Sequence, residues 1–317
     1  MGVSLPGKLA DLILERVTRS IVFLLQSLPL VGVARLGRML GTLAYWVDHR
    51  HRRVAMDNLQ RTFSETLTAA KIRGLALENF KRLGENYCCA IKTASMDSRS
   101  MEKHLEFKGL EHLELLAEST PSKVIVAAIG HFGNFEIYAR LNGMPRGFQG
   151  ATTYRGLKQP GLNRVMLRLR EQSGCLFFER RTQSTELREL LARGHVMLGL
   201  LADQHAGDRG LPLPLMGRMS STSAAPAVLA QRYHAPLIVG ICHRIQLAQW
   251  RVEFGPMIPT HDAAGVRSAE SIMLEVNQVF EKANRQDPAN WFWVHNRWKA
   301  VRRPTAPPQT TEEVTSG

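Results

Sequence analysis

Cysteine is scarce in this sequence, acidic charge falls well short of basic charge, and no long apolar run goes uninterrupted. Only Cys88, Cys89, Cys175 and Cys242 occur in 317 residues. They form no CxxC pair and no disulfide framework, so a reducing compartment is expected. No metal is expected, because His131, His205 and His243 stand at no recognised ligand spacing. The first twenty residues, MGVSLPGKLADLILERVTRS, lack the basic, apolar and small-residue order of a cleavable export signal. From Ile21 to Ala34 the chain reads IVFLLQSLPLVGVA, cut by Gln26 and Pro29 and ended by Arg35. A bilayer core of about 30 Å needs roughly 20 consecutive apolar residues, which this stretch does not supply. Residues 1–50 are therefore expected to form a pair of short helices lying in or dipping into a membrane interface. Tyr45 and Trp46 would sit at headgroup depth and Arg50, Arg52 and Arg53 on anionic headgroups. The alternative is a buried helical hairpin.

What is abundant is positive charge and apolar residues. Lys and Arg number 41 against 28 Asp and Glu, a net charge of +13. That surplus fits nucleic acid, an anionic membrane, or an acidic protein or phosphorylated substrate. No helix-turn-helix, RNP or finger pattern occurs, and the aromatics are not interleaved with basic residues, which argues against nucleic acid. A hydrophobic content of 44% supports a filled core and excludes a disordered or collagen-like chain.

Periodicity gives the organisation. Arg52 to Leu83 reads as helical, with Val54, Leu59 and Phe63 on one face and Ile72, Leu75, Leu77 and Phe80 in a second helix. LEFKGLEHLELLAEST, from residue 105, gives a strand, a turn at Gly109 and a helix. Bounded apolar runs at Lys123 to Ile129, Val196 to Leu201 and Pro236 to Ile241 read as buried parallel strands. Helical patterns lie between them at Leu162 to Gln172, Thr185 to Ala192 and Ala224 to Arg232. This alternation specifies an α/β domain, assigned to residues 51–303. The Pro/Thr-rich residues 304–317 are expected to be disordered.

In such a sheet the chemistry sits just beyond the carboxyl ends of the strands. After the first run comes GHFGNFE, where a turn can bring Glu136 against His131. A carboxylate on one imidazole nitrogen fixes the tautomer and stabilises the cation formed when the other nitrogen takes a proton. No serine or cysteine adjoins the pair, so the activated hydroxyl would be the substrate's, in direct transfer without a covalent intermediate. A His and a Glu five apart also occur by accident, and the position after a buried strand is what favours chemistry. After the second run come Asp203 and Gln204. Asp203 reads either as orienting an arginine or the acceptor hydroxyl, or as a turn or cap aspartate. Beside Tyr154, Arg155, Lys158, Arg164, Arg168, Arg170, Arg180 and Arg181 concentrate positive charge, with Arg164 expected on a solvated helix face. The block PANWFWVHNRWK, from Pro288 to Lys299, reads as core or interface packing more than ligand stacking.

GHFGNFE resembles the H-x4-D/E signature of the glycerolipid-type acyltransferases. Within them the chain is similar to the branch holding the lipid A late acyltransferases of Gram-negative bacteria and the actinobacterial enzymes that acylate phosphatidylinositol mannosides. RRVAMDNLQRTF, TYRGLKQP, the RLR of Arg168 to Arg170, FERR, ADQ, PLPLMG and PANWFWVHNRWK follow that branch's order over roughly residues 20 to 303. Leu215 and Met216 stand where it commonly has two phenylalanines. The resemblance implies a central mixed, largely parallel sheet flanked by helices. It implies transfer of a fatty acyl chain from acyl carrier protein to a hydroxyl of a phosphorylated glycolipid, at the cytoplasmic face of a bacterial inner membrane. His131 would be the general base and Glu136 its orienting carboxylate. Arg168 or Arg170 would hold phosphate or the oxyanion, and Arg155, Asp203 and Gln204 would contact substrate. No metal or organic cofactor is expected, since a thioester is already activated. The alternatives are another acceptor, such as a lysophospholipid, a phosphatidylinositol mannoside or an aminolipid, or a non-enzymatic basic membrane-binding protein.

Overall fold

VIVAAI and VMLGLL are apolar on both faces, as strands must be when helices cover each side of a parallel sheet. In the computed structural model, which describes residues 5–141 and 143–300, they form β2 (Val124–Ile129) and β5 (Val196–Leu201) at the middle of a seven-stranded sheet. The others are β1 (Leu105–Lys108), β3 (Gln149–Tyr154), β4 (Leu176–Glu179), β8 (Leu237–Gln246) and β9 (Gln249–Phe254). Their order is β1-β9-β8-β2-β5-β3-β4. From β8 to β4 all pairs are parallel; β9 runs antiparallel to β8 and carries β1 parallel to itself. The expected mixed, largely parallel sheet is thus observed. Between β5 and β8 a hairpin of β6 (Leu211–Leu215) and β7 (Arg218–Thr222) stands apart from the main sheet. Residues 304–317, expected to be disordered, lie outside the described residues.

Alternation along β2 divides the core in two. Val124, Val126 and Ala128 face one hydrophobic cluster, and Ile125, Ala127 and Ile129 face the other. The first cluster takes in α3 (His49–Phe63), the first half of α4 (Ala69–Thr93), α8 (Ser184–Arg193), α9 (Ala225–Arg232) and α10 (Ala269–Gln286). The second takes in α1 (Leu5–Ser27), α2 (Leu30–Val47), α5 (Ser98–Glu102), α6 (Leu110–Ser119) and a 3-10 helix at Phe135–Leu141. The last helix, α7 (Pro160–Glu171), follows β3.

The N-terminal helices are longer than expected, at 23 and 18 residues. No described helix is long and apolar enough to cross a membrane. α2 lies backbone to backbone on α4: a Cβ at Gly37 would stand 2.5 Å from the Gly84 carbonyl oxygen. α1 lies along α7, where Asp11 and Glu15 pair with Arg164 and Asp11 accepts the Gly161 N–H at 2.8 Å. Arg164 is exposed, as expected of a solvated helix face, and it also anchors a helix–helix contact. The outward side of these two helices carries exposed Leu9, Ile13, Val17, Ile21 and Leu24, with Phe23, Leu43 and Trp46.

Candidate active site

The pairing of β2 with β5 aligns Ile129 with Leu201. Two residues beyond each lie His131 and Asp203, so the sheet's own register delivers them side by side. The imidazole Nδ1 lies 2.7 Å from Asp203 Oδ1, while the His131 backbone N–H donates to Oδ2 at 2.8 Å. Trp291 Nε1 donates to the same Oδ2 at 2.8 Å. Asp203 is 1% exposed. Burial works to raise its pKa, but the His131 charge, the two His131 hydrogen bonds and the Trp291 donor together hold it below the usual carboxylate range. Gly130 makes the approach feasible, since a Cβ there would meet the Phe132 ring at 2.7 Å and Asp203 Cγ at 3.3 Å.

An ionised Asp203 on Nδ1 fixes the proton there and leaves Nε2 as the basic nitrogen. Gln204 Nε2 lies 3.3 Å from it. The ring is held by Phe135 in edge contact, with centroids 4.7 Å apart, and by Phe292 at 5.5 Å. The expected carboxylate on His131 is thus supplied by Asp203 and not by Glu136. Glu136 lies in the 3-10 helix and grips Arg170 of α7 instead, at 2.6 and 3.2 Å. Arg170 is also stacked over Phe177 at 5.2 Å and Tyr154 at 5.9 Å. Arg168, two residues away on a helix of 3.6 residues per turn, points elsewhere and is exposed. Among the described residues no cluster of three His, Cys, Asp or Glu suits a metal ion.

His131, Glu136, Arg170, Arg155, Gln204 and Phe292 all line one cavity of about 470 Å³. Its interior is apolar, built from Ala127, Ile129, Leu141, Met144, Met197 and Gly199, and its walls also carry Arg180 and Asn163. The Cys175 thiol on the wall is pushed up to about 12 by burial, so it is no ready nucleophile.

The aromatic block is the support of this site. Asn290 accepts the Gly133 N–H through its carbonyl, and its side chain donates to the Cys242 carbonyl at 2.9 Å. Asn79 of α4 donates to the carbonyls of Ala289 and Trp291, and Asn58 of α3 to those of Trp293 and His295. Trp291 and Trp293 are core residues, as the packing reading expected. The importance of Trp291 to Asp203 was missed from sequence, where its indole N–H had no visible partner.

The match to known proteins decides the class. The bacterial lipid A biosynthesis acyltransferase family matches residues 15–300. The chain belongs to this family. It is similar to the lipid A biosynthesis lauroyltransferase of Escherichia coli (strain K12), 23% identical over 280 residues that cover 88% of this chain and 89% of the relative. As a member of the lipid A biosynthesis acyltransferases the protein is an acyltransferase, and the non-enzymatic alternative falls away.

Proposed function

We propose that the protein moves a fatty acyl chain from an acyl carrier protein thioester to a hydroxyl of a phosphorylated glycolipid, a lipid A precursor. The observation that carries this reading is the buried Asp203 fixing His131 so that its free nitrogen opens on the apolar cavity. The acceptor oxygen attacks the thioester carbonyl as His131 Nε2 takes its proton. The tetrahedral intermediate then expels the thiolate, which receives that proton from His131 as the carbon–sulfur bond breaks. Asp203 keeps the imidazole oriented and stabilises it while it is charged, a role worth several kcal/mol in comparable triads. The Arg170 guanidinium, held in place by Glu136, meets either the developing oxyanion or the acceptor phosphate. Glu136 acts through Arg170 as a positioning residue. Arg155 and Arg180, which line the cavity and are themselves exposed, offer further charge to a phosphate.

The site of action in this reading is the cytoplasmic face of a bacterial inner membrane. The exposed apolar stripe on α1, continued by Trp46 on α2 and followed by Arg50, Arg52 and Arg53, supports docking in the plane of an anionic surface. The +13 charge supports attraction of an acidic carrier protein. The test is acyl transfer by purified protein from acyl carrier protein thioesters to a lipid A precursor, with a lysophospholipid and a phosphatidylinositol mannoside as competing acceptors. Transfer to the precursor alone, lost in His131→Ala by at least about 10³-fold, is the expected result. Preference for another acceptor, or full turnover in His131→Ala, overturns the substrate or the mechanism respectively.

A further inference from the structure

The cavity runs down the face of the sheet, from the carboxyl ends of the strands toward their amino ends. Met197, Gly199 and Leu201 alternate onto this face of β5, and all three line the cavity, as do Ala127 and Ile129 of β2. The strand registers group them into levels. Ile129 pairs with Leu201 nearest the mouth, Ala127 with Gly199 and Thr152 below, and Ile125 with Met197 and Gly150 at the bottom. The middle level is nearly bare of side chains. Thr152 turns its hydroxyl away to donate to the Gly199 carbonyl at 2.8 Å. The bottom level is closed by Met197, only 9% exposed, beside Leu141, Met144 and Cys175.

Nothing in the backbone asks for glycine at position 199. Its φ is not in the left-handed region, and a Cβ there would meet only Ile129 Cδ1 at 3.4 Å and the Ala151 carbonyl oxygen at 3.9 Å, ordinary contacts. A glycine inside a strand weakens it and marks close approach by something else. Here the space that a side chain would take is part of the cavity.

We infer that Gly199 is the open position of an acyl-chain ruler and Met197 its stop. The inference rests on the acyl-transfer reading and adds the length of the chain. From the level of His131 to that of Met197 is six strand residues, ~20 Å. Van der Waals contact at the two ends takes about 4 Å of that. An extended hydrocarbon, with bonds of about 1.5 Å at about 111°, advances ~1.25 Å per carbon, so the remaining ~16 Å holds about twelve to fourteen carbons. Adjacent levels are ~6.6 Å apart, or about five carbons, which is the most that a side chain at Gly199 can remove.

The experiment is thermal stabilisation of the purified full chain by saturated fatty acids of even length from eight to eighteen carbons, because ligand binding to the native state raises the melting temperature without needing the acceptor. Wild type should be stabilised most by the twelve- or fourteen-carbon acid. Gly199→Val should move the optimum down by about four carbons while leaving the shortest acid's effect intact, and Met197→Ala should move it up by about two. Gly199→Ala, whose Cβ the strand accommodates, should give a smaller downward shift and stands in if the valine variant does not fold. The same length optimum in wild type and in the variants that fold overturns the ruler alone. No stabilisation of wild type by any of the acids overturns the acyl reading of the cavity itself.

Discussion

Asp203 is 1% exposed and receives three hydrogen bonds, whereas Glu136 is 22% exposed and shares its carboxylate with a single guanidinium. Both carboxylates hold a nitrogen-bearing side chain on the wall of one cavity, yet their surroundings differ. Around Asp203 every donor is fixed by the sheet register or by the aromatic block, so the imidazole has one orientation and one tautomer. The Glu136–Arg170 pair joins a 3-10 helix to α7 and faces the mouth, where an incoming anion can compete for the guanidinium. Burial makes the first pair rigid; partial exposure makes the second an adaptable contact.

The comparison is broken most severely at Asp203. Asp203→Asn keeps an acceptor for the His131 backbone and for Trp291 but offers an amide to Nδ1. Turnover in the acyl-transfer assay should fall by about 10³- to 10⁴-fold, with the melting temperature little changed. At the outer pair the effects should be milder. Arg170→Lys loses the bidentate grip and should cost about 10²-fold, and Glu136→Gln about 10-fold, with part of each loss in KM for the acceptor. If Glu136→Gln equals Asp203→Asn, the division between fixed and adaptable pairs is wrong. Trp291→Phe removes one of three donors on Asp203 and should lower kcat roughly fivefold, about the effect of one hydrogen bond.

The smallest effect is one of pH. His295 accepts the His205 N–H at 3.0 Å, and burial, opposed by the Asp203 charge, lowers its pKa to about 4. The unfolded chain takes up that proton near 6.5 and the folded one does not. The contribution to stability is therefore complete above pH 6.5 and is lost as pH falls toward 4. Melting temperatures measured across that window should decline in wild type and decline less in His295→Gln.

Much of this was legible in the residues. The apolar runs that became β2, β5 and β8 are bounded and buried on both faces, so length and flanking turns identified them. β3, reading QGATTY, lacks an apolar run, and β4, reading LFFE, has one of only three residues with none fully buried, so neither stood out. His131 was found because it follows a buried strand. Its partner was misplaced because local spacing favoured Glu136, five residues on, over Asp203, seventy-two residues on. ADQ also follows a buried strand of six residues, and laying the two runs in register would have set Asp203 beside His131. Arg164 is exposed as expected, but its partners Asp11 and Glu15 went unseen because nothing in α7 alone shows that α1 lies against it. The choice between Arg168 and Arg170 needed the helix face, which only tertiary packing sets.

The alignment of Ile129 with Leu201 has a consequence for folding. Side chains alternate along a strand, so a slip of one residue between β2 and β5 would turn Asp203 to the opposite face of the sheet and leave His131 without its carboxylate. The carboxylate–imidazole pair therefore does not exist in a chain whose β2 and β5 are unpaired or mispaired. Its assembly waits on a contact between distant segments, one of the slower events in folding. A protein whose active site is completed by strand register holds its reactivity in check until it is native, and catalytic competence then reports correct pairing at the centre of the sheet.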